Sequence, residues 1–267
     1  MGAPHPTRTW LLVAALAAVF GVAGDVPSPG PGAATQEVRV VEVLHHDPRA
    51  YTQGLEVRGG RLYESTGRFG RSTVAVGAPG KPPAIRLRLP AEFFGEGLTV
   101  VGRRLWQLTW RNGVAVERDA RTLREIRRVP YPDEGWGICY QASRQRVVTS
   151  DGSAWLTYRD AGTLAAVGRV RVTEPGGDAR PVRYLNELEC VGESVYANVF
   201  GSDRIVRVDA DSGRVTADID ASGLWGRGER AGVLNGIAAV PGSDEFLLTG
   251  KNWPKTFRVR FEARDEG

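Results

Sequence analysis

The sequence predicts an all-β fold, a five-bladed β-propeller whose ring is closed by the N-terminal strand joining the last blade. Three observations carry this. From Glu37 onward the chain reads as short alternating strands between turns. One five-residue pattern returns five times, at Gln53–Val57 (QGLEV), Glu96–Val100 (EGLTV), Trp136–Tyr140 (WGICY), Asn186–Cys190 (NELEC) and Asn235–Ala239 (NGIAA). Its starts lie 43, 40, 50 and 49 residues apart. A period of about 40–50 residues with four strands per repeat marks propeller blades. A β-sandwich, the competing arrangement, needs no fivefold repeat.

The elements follow in order. Residues 1–10 carry a single Arg8, and Leu11 to Gly24 then read LLVAALAAVFGVAG without a charge. This predicts a signal peptide over residues 1–24, cleaved before Asp25, and hence a secreted or periplasmic protein. A retained anchor is the alternative, although a span needs about 20 apolar residues. Residues 25–36, DVPSPGPGAATQ, read as a flexible Pro/Gly-rich tether, and residues 37–267 as a single propeller domain. Within each repeat a second strand follows (RLYEST, RLWQLTW, RVVTSDG, SVYANVF, EFLLTGK), then a third (STVAVGA, GVAVERD, AWLTYRD, RIVRVDA, TFRVRF). Fourth strands complete the first four repeats (AIRLRL, LREIRRV, AAVGRVRV, VTADIDA), after turns such as YRDAGTL and VDADSG that suit tight hairpins. The fifth repeat ends without one. The leftover segment Glu37–Leu44, EVRVVEVL, is expected to fill that outer position.

Composition narrows the function. With 35 Lys+Arg against 31 Asp+Glu the net charge is only +4, and no run of five like charges exists. Nucleic-acid binding has no support. The only histidines are His5, His45 and His46, and the only cysteines Cys139 and Cys190, so no zinc set assembles on ordinary spacing and no metal is expected. A Ser-His-Asp hydrolase would need His45 or His46 at the start of the fold. In an extended segment these two point to opposite sides, a poor chelate; His46-Asp47 reads as ordering the approach to the first blade.

In a propeller the innermost strands line a central channel. The first residues of the pattern, Gln53, Glu96, Trp136, Asn186 and Asn235, therefore ring one mouth. Such polar groups either line a solvated channel or build a binding site. Tyr51, Phe94, Trp106, Trp110, Trp136, Phe200 and Trp253 are expected to cluster at the same mouth, as in a ligand pocket.

The strings HDPRAYTQGLEV, LYESTGRFGRST, FFGEGLTV, LWQLTW, EGWGICY, SDGS, LNELECV, YANVF, LNGIAAV and LLTGKNWP resemble the plant and bacterial type of glutaminyl-peptide cyclotransferase. The resemblance runs from Glu42 to Phe261 and touches every repeat. It implies a five-bladed propeller that converts an N-terminal glutamine of peptides or proteins to pyroglutamate, releases ammonia and uses no cofactor. It implies Glu96 as the active-site glutamate, and matches Tyr51 and Gln53 to the (F/Y)TQGL motif, Trp110 to QLTW, Trp136 to EGWG, Asn186 to NELE and Lys251 to TGKxWP. Phe94 matches the aromatic two residues before the glutamate. Where the family has ANVW or ANIW, this chain has Phe200, which keeps the aromatic wall and loses an indole donor.

On this reading Glu96 takes a proton from the attacking α-amine and returns one to the leaving nitrogen. Lys251, Asn186 and Gln53 are three candidates for the donor to the γ-carbonyl oxygen. Gln53, Tyr51, Phe94, Trp110, Trp136 and Phe200 hold the substrate. Glu64, Asp151, Glu187 and Glu189 read as structural carboxylates that tie blades through backbone amides. Partners are peptides or proteins with N-terminal Gln; a monomer without nucleic-acid or lasting membrane association is expected. A non-catalytic propeller that captures peptide N-termini is the competing function. Cys139 and Cys190 lie in the first strands of neighbouring repeats, and either a disulfide or two buried thiols fits them.

Overall fold

The computed structural model describes residues 32–176, 179–225 and 232–264. The expected signal peptide and residues 25–31 of the expected tether lie outside them. The fold is all-β: among the described residues the only helical pieces are two three-residue 3-10 turns. The first strand, β1, runs from Ala34 to His45. It starts three residues inside the stretch read as tether, so residues 34–36 are strand instead.

The first repeat is the four-stranded sheet β2 (Thr52–Arg58), β3 (Arg61–Thr66), β4 (Thr73–Gly77) and β5 (Ile85–Arg88). The second is β6 (Gly95–Val101), β7 (Arg104–Thr109), β8 (Val114–Asp119) and β9 (Glu125–Pro130). The third is β10 (Ile138–Gln141), β11 (Arg146–Thr149), β12 (Trp155–Asp160) and β13 (Ala166–Arg171). The fourth holds β14 (Leu185–Val191), β15 (Ser194–Val199), β16 (Arg204–Asp209) and β17 (Val215–Asp220), and the fifth holds β18 (Leu234–Ala239), β19 (Glu245–Gly250) and β20 (Lys255–Ala263). The Asp-led turns form as expected: Asp119, Asp160 and Asp209 accept backbone N–H groups of Thr122, Thr163 and Ser212, each at 2.8 Å.

The N-terminal strand takes the outer place of the fifth repeat, antiparallel to β20 from Gln36 opposite Ala263 to His45 opposite Lys255. Its first residues also pair in parallel with β17, Ala34–Glu37 alongside Ala217–Asp220. This second pairing merges the fourth and fifth repeats into one eight-stranded sheet, where the repeat count predicts two separate ones. The early start of β1 supplies the extra residues that reach β17.

The sheets sit like blades. β2 lies against β6, β6 against β10, β10 against β14, β14 against β18, and β18 against β2. Apolar clusters fill the spaces between repeats: Val76 and Leu98 between the first and second, Leu108 and Val147 between the second and third, Leu156 and Val206 between the third and fourth, Ile219 and Phe246 between the fourth and fifth, and Leu55 and Leu247 between the fifth and first. Burial of these faces drives the packing. A disulfide joins Cys139 of β10 to Cys190 of β14, with Cα atoms 5.5 Å apart.

Candidate active site

The first position of the repeated pattern escapes the strand ladders, and in every repeat but the first the second does too. In β2 pairing passes from Thr52 to Gly54 and skips Gln53. In β6 it passes from Gly95 to Leu98, in β14 from Leu185 to Leu188, and in β18 from Leu234 to Ile237. In the third repeat β10 begins only at Ile138, after Trp136 and Gly137. Each bulge frees one or two residues from the alternation of the strand and re-aims their side chains. Glycine at the second position also lets the inner strands close up. A Cβ at Gly54 would meet the Leu98 nitrogen at 2.5 Å, and one at Gly97 the Trp136 oxygen at 2.7 Å. The fourth repeat alone has a carboxylate there, Glu187.

These bulges bring Gln53, Glu96 and Asn235 into one hydrogen-bonded group. Gln53 Nε2 donates to Glu96 Oε1 at 2.9 Å, and Asn235 Nδ2 donates to Gln53 Oε1 at 3.1 Å and to the Thr52 carbonyl at 3.0 Å. All three are buried. Asn186 takes the equivalent position in β14, but its side-chain oxygen has no hydrogen-bond partner, nor has that of Asn235. Two buried acceptors thus lack a partner among the described residues. Lys251, just past the end of β19, is buried beside the group. Its Nζ stands 5.0 Å from the centre of the Tyr51 ring and 4.7 Å from that of Phe200.

Burial pushes the Glu96 carboxyl well above the ordinary carboxylate range, against the opposing pull of the Lys251 charge and the Gln53 hydrogen bond. Burial also pushes Lys251 down, to about 8, and the Glu96 charge limits the fall. A carboxyl that holds its proton more tightly and an ammonium that releases it more easily share one apolar enclosure.

The enclosure is aromatic. Phe94 meets Tyr51, Phe69 and Trp110 at ring distances of 6.4, 5.4 and 5.7 Å. Trp136 meets Phe200 edge-on at 5.7 Å. Of these, Phe69 is 57% and Phe200 38% exposed; the others are half-buried. Glu134 fixes the two indoles. Its Oε1 accepts Trp110 Nε1 and, at 3.1 Å, Trp136 Nε1, while Oε2 accepts Arg111 Nε at 3.0 Å. Partial burial opposes its charge, but the bonds from Arg111 and the two indoles hold Glu134 below the ordinary carboxylate range.

Two aromatics expected at the mouth are elsewhere. Trp106 is fully buried between the second and third repeats and donates Nε1 to the Ala161 carbonyl at 3.0 Å. Trp253 is fully buried in the core of the fourth and fifth repeats, against Trp225 and Phe257. Both side chains leave the channel because their positions face a neighbouring sheet. The structural carboxylates divide. Glu187 accepts Leu55 N at 3.1 Å and Ile237 N at 2.7 Å, and so spans three inner strands. Glu189 accepts the Ala239 amide. Glu64 instead bonds the side chains of His46 and Thr52, each at 2.8 Å, and Asp151 caps only its own turn through Ser153 N. His46 is buried and also contacts the Trp253 carbonyl, whereas His45 is exposed, as their opposite directions predict.

A family model described as glutamine cyclotransferase matches residues 11–261. The chain belongs to the glutamine cyclotransferase family. Among its relatives is a glutaminyl-peptide cyclotransferase of Arabidopsis thaliana, 36% identical over 234 residues that cover 85% of this chain and 72% of the relative. The crystal structure of the Myxococcus xanthus glutaminyl cyclase superposes with a TM-score of 0.77 at 34% identity, over 87% of this chain and all of that one.

Against this family background, the site residue missed in the sequence is Glu134. It lies two residues before Trp136 in EGWG, and an indole at a polar mouth needs an acceptor for its N–H, which was the available signal. Asn235, read only as part of the polar ring, belongs to the Gln53–Glu96 hydrogen-bonded group.

Proposed function

We propose that this chain cyclises the N-terminal glutamine of peptides and proteins to pyroglutamate. The carrying observation is Glu96: a buried carboxyl, bonded by a side-chain amide rather than by the backbone, beside Lys251 and an aromatic wall. In the reaction the substrate α-nitrogen forms a bond to the γ-carboxamide carbon, and the bond from that carbon to its amide nitrogen breaks. Both groups belong to one residue, so holding the folded-back side chain supplies much of the catalysis. Trp110, Trp136, Phe94, Tyr51 and Phe200 clamp its methylene groups and limit water. Glu96 accepts a proton from the attacking amine and gives one to the departing nitrogen, which leaves as ammonia. The Lys251 ammonium faces the charge that develops on the carbonyl oxygen. Asn186 and Asn235 offer their free oxygens to the amine and carboxamide N–H groups, and Gln53 orients Glu96. This assigns Asn186 as acceptor rather than donor.

The wider reading follows. Contacts running from β2 round to β18 and back, with an apolar cluster between each neighbouring pair, support five blades closed into a ring by β1. The uncharged Leu11–Gly24 segment and the Cys139–Cys190 bridge support export to an oxidising compartment. One chain supplies every proposed site residue, so the monomer is taken as the working unit, and the chemistry is taken as metal-independent. The test is ammonia release from a Gln-initiated dipeptide by the purified chain, with and without 1,10-phenanthroline. Release above the uncatalysed rate, unchanged by the chelator, is expected. Binding without release would leave a peptide-capturing propeller, and a loss restored by zinc would overturn metal independence.

A further inference from the structure

A cavity of about 640 Å³ opens beside the mouth, over the first repeat. Arg49, Arg68, Arg71, Arg86 and Arg88 line it, and Asp47 is the one carboxylate among its lining residues. The whole chain carries an excess of only four positive charges, so this concentration is local. Asp47 engages Arg49 at 3.0 Å and Arg86 at 3.0 Å. Among the described residues Arg71 and Arg88 have no carboxylate partner, and both are exposed. Their heads are open to an anion.

The inner end of the cavity meets the proposed active site. Arg68 has a φ of 139°, a region that side chains other than glycine rarely occupy. The turn holds it there: its carbonyl accepts Arg71 N, Ser72 N and Ser72 Oγ at 2.9, 2.8 and 2.8 Å. The result puts the Arg68 guanidinium 4.7 Å over the Tyr51 ring, with a 2.9 Å bond to Asn252 Oδ1, one residue after Lys251. Strain kept by an over-determined turn beside a site points to a functional placement. Exposed Phe69 stands at the same rim against Phe94. The outer end follows from sheet register. Thr52 pairs with Thr66, Thr66 with Thr73 and Thr73 with Arg88. Three strand spacings carry the surface about 14 Å from the neighbour of Gln53 to Arg88, the reach of about four extended residues.

We infer that this groove binds the peptide chain following the N-terminal glutamine, and that it selects substrates with acidic residues at about the third to sixth positions. The inference rests on the cyclisation reading for its choice of occupant. Exposed arginine–carboxylate pairs are individually weak, but Arg71 and Arg88 act together and Arg68 fixes the path.

Three hexapeptides test this, each beginning Gln-Ala and continuing with four Glu, four Ser or four Lys, beside the dipeptide Gln-Ala. At low salt kcat/KM should fall in the order Glu, Ser, Lys, with the Glu peptide favoured over Ser by roughly three- to tenfold. The advantage should collapse in 0.5 M NaCl, where screening is short-ranged. The double variant Arg71→Ser/Arg88→Ser should bring the Glu and Ser peptides within about twofold of one another through KM. It should leave turnover of Gln-Ala, too short to reach the groove, unchanged. Equal kcat/KM for Glu and Ser peptides, or an advantage that survives the double variant, would overturn the inference. If Gln-Ala itself is not turned over, the cyclisation reading fails, and the groove is tested alone by fluorescence anisotropy of labelled four-Glu and four-Ser peptides. Equal binding of the two would then refute it.

Discussion

Glu96 and Glu187 are both buried carboxyls that leave the ladder at a bulge of an inner strand, in the second and fourth repeats. Burial pushes both well above the ordinary carboxylate range. They differ in what they hold. Glu187 holds two backbone amides from two other repeats, Leu55 on one oxygen and Ile237 on the other. Both of its oxygens are committed to contacts that join three inner strands. Glu96 holds only the Gln53 side-chain amide and lies beside a cation that is itself destabilised. The same residue type at adjacent positions of the repeated pattern is a rivet between strands in the fourth repeat and the proposed proton carrier in the second. The distinction lies in whether its partners are backbone or side chain.

Substitutions should separate the two. Glu96→Gln keeps size and one acceptor and removes the proton carrier, so turnover of a Gln-initiated peptide should fall about a thousandfold. Its melting temperature should hold or rise. A carboxyl whose folded pKa is raised contributes stability below its unfolded pKa and loses it as pH climbs through the folded value, so at neutral pH and above its removal costs nothing. Near-native turnover would take Glu96 out of the mechanism. Lys251→Met should lower turnover about a hundredfold. It should also reshape the pH profile of kcat/KM. In the parent chain activity is expected to rise with pH as Glu96 and the substrate amine lose protons, and to fall near pH 8 as Lys251 loses its own. The variant should keep the acid limb and lose the alkaline one; an unchanged alkaline limb would assign it to another group.

Glu187→Gln makes the opposite prediction to Glu96→Gln. One amide keeps an oxygen acceptor, while the other meets an NH₂ group, at a cost of about 2 kcal/mol. A melting temperature lower by about 4–8 °C is expected, with kcat per folded molecule unchanged. A large loss of kcat in fully folded protein would erase the division between the two carboxyls. The smallest effect belongs to the aromatic wall. Glu134→Gln removes a shared anionic acceptor from Trp110, Trp136 and Arg111 without touching the reacting atoms, so KM should rise about threefold to tenfold while kcat stays near the parent value. A fall in kcat alone would mean that Glu134 acts on Glu96 through charge, a neighbour effect that raises the Glu96 pKa.

Much was legible in the chain because its signals are local or periodic. Strand alternation, Asp-led turns and the fivefold return of a short pattern depend only on neighbouring residues, and they place β2, β6, β14 and β18 with Gln53, Glu96, Asn186 and Asn235 at equivalent points. The outer position of β1 also followed, since the fifth repeat lacks a fourth strand. Other features arise between segments distant in sequence. A bulge is a mismatch between two strands, so the skipping of Gln53 and Glu96 is invisible in either strand alone. Trp106 and Trp253 carry the same indole as Trp110 and Trp136; only the face each position turns to a neighbouring sheet sends the first pair to the core and the second to the mouth. The parallel pairing of β1 with β17, the closure of the Cys139–Cys190 bridge and the arginine groove across the first repeat were decided in the same way. Sequence fixes residue chemistry and local period, whereas burial, charge proximity and pKa depend on which distant segments the packed sheets bring together.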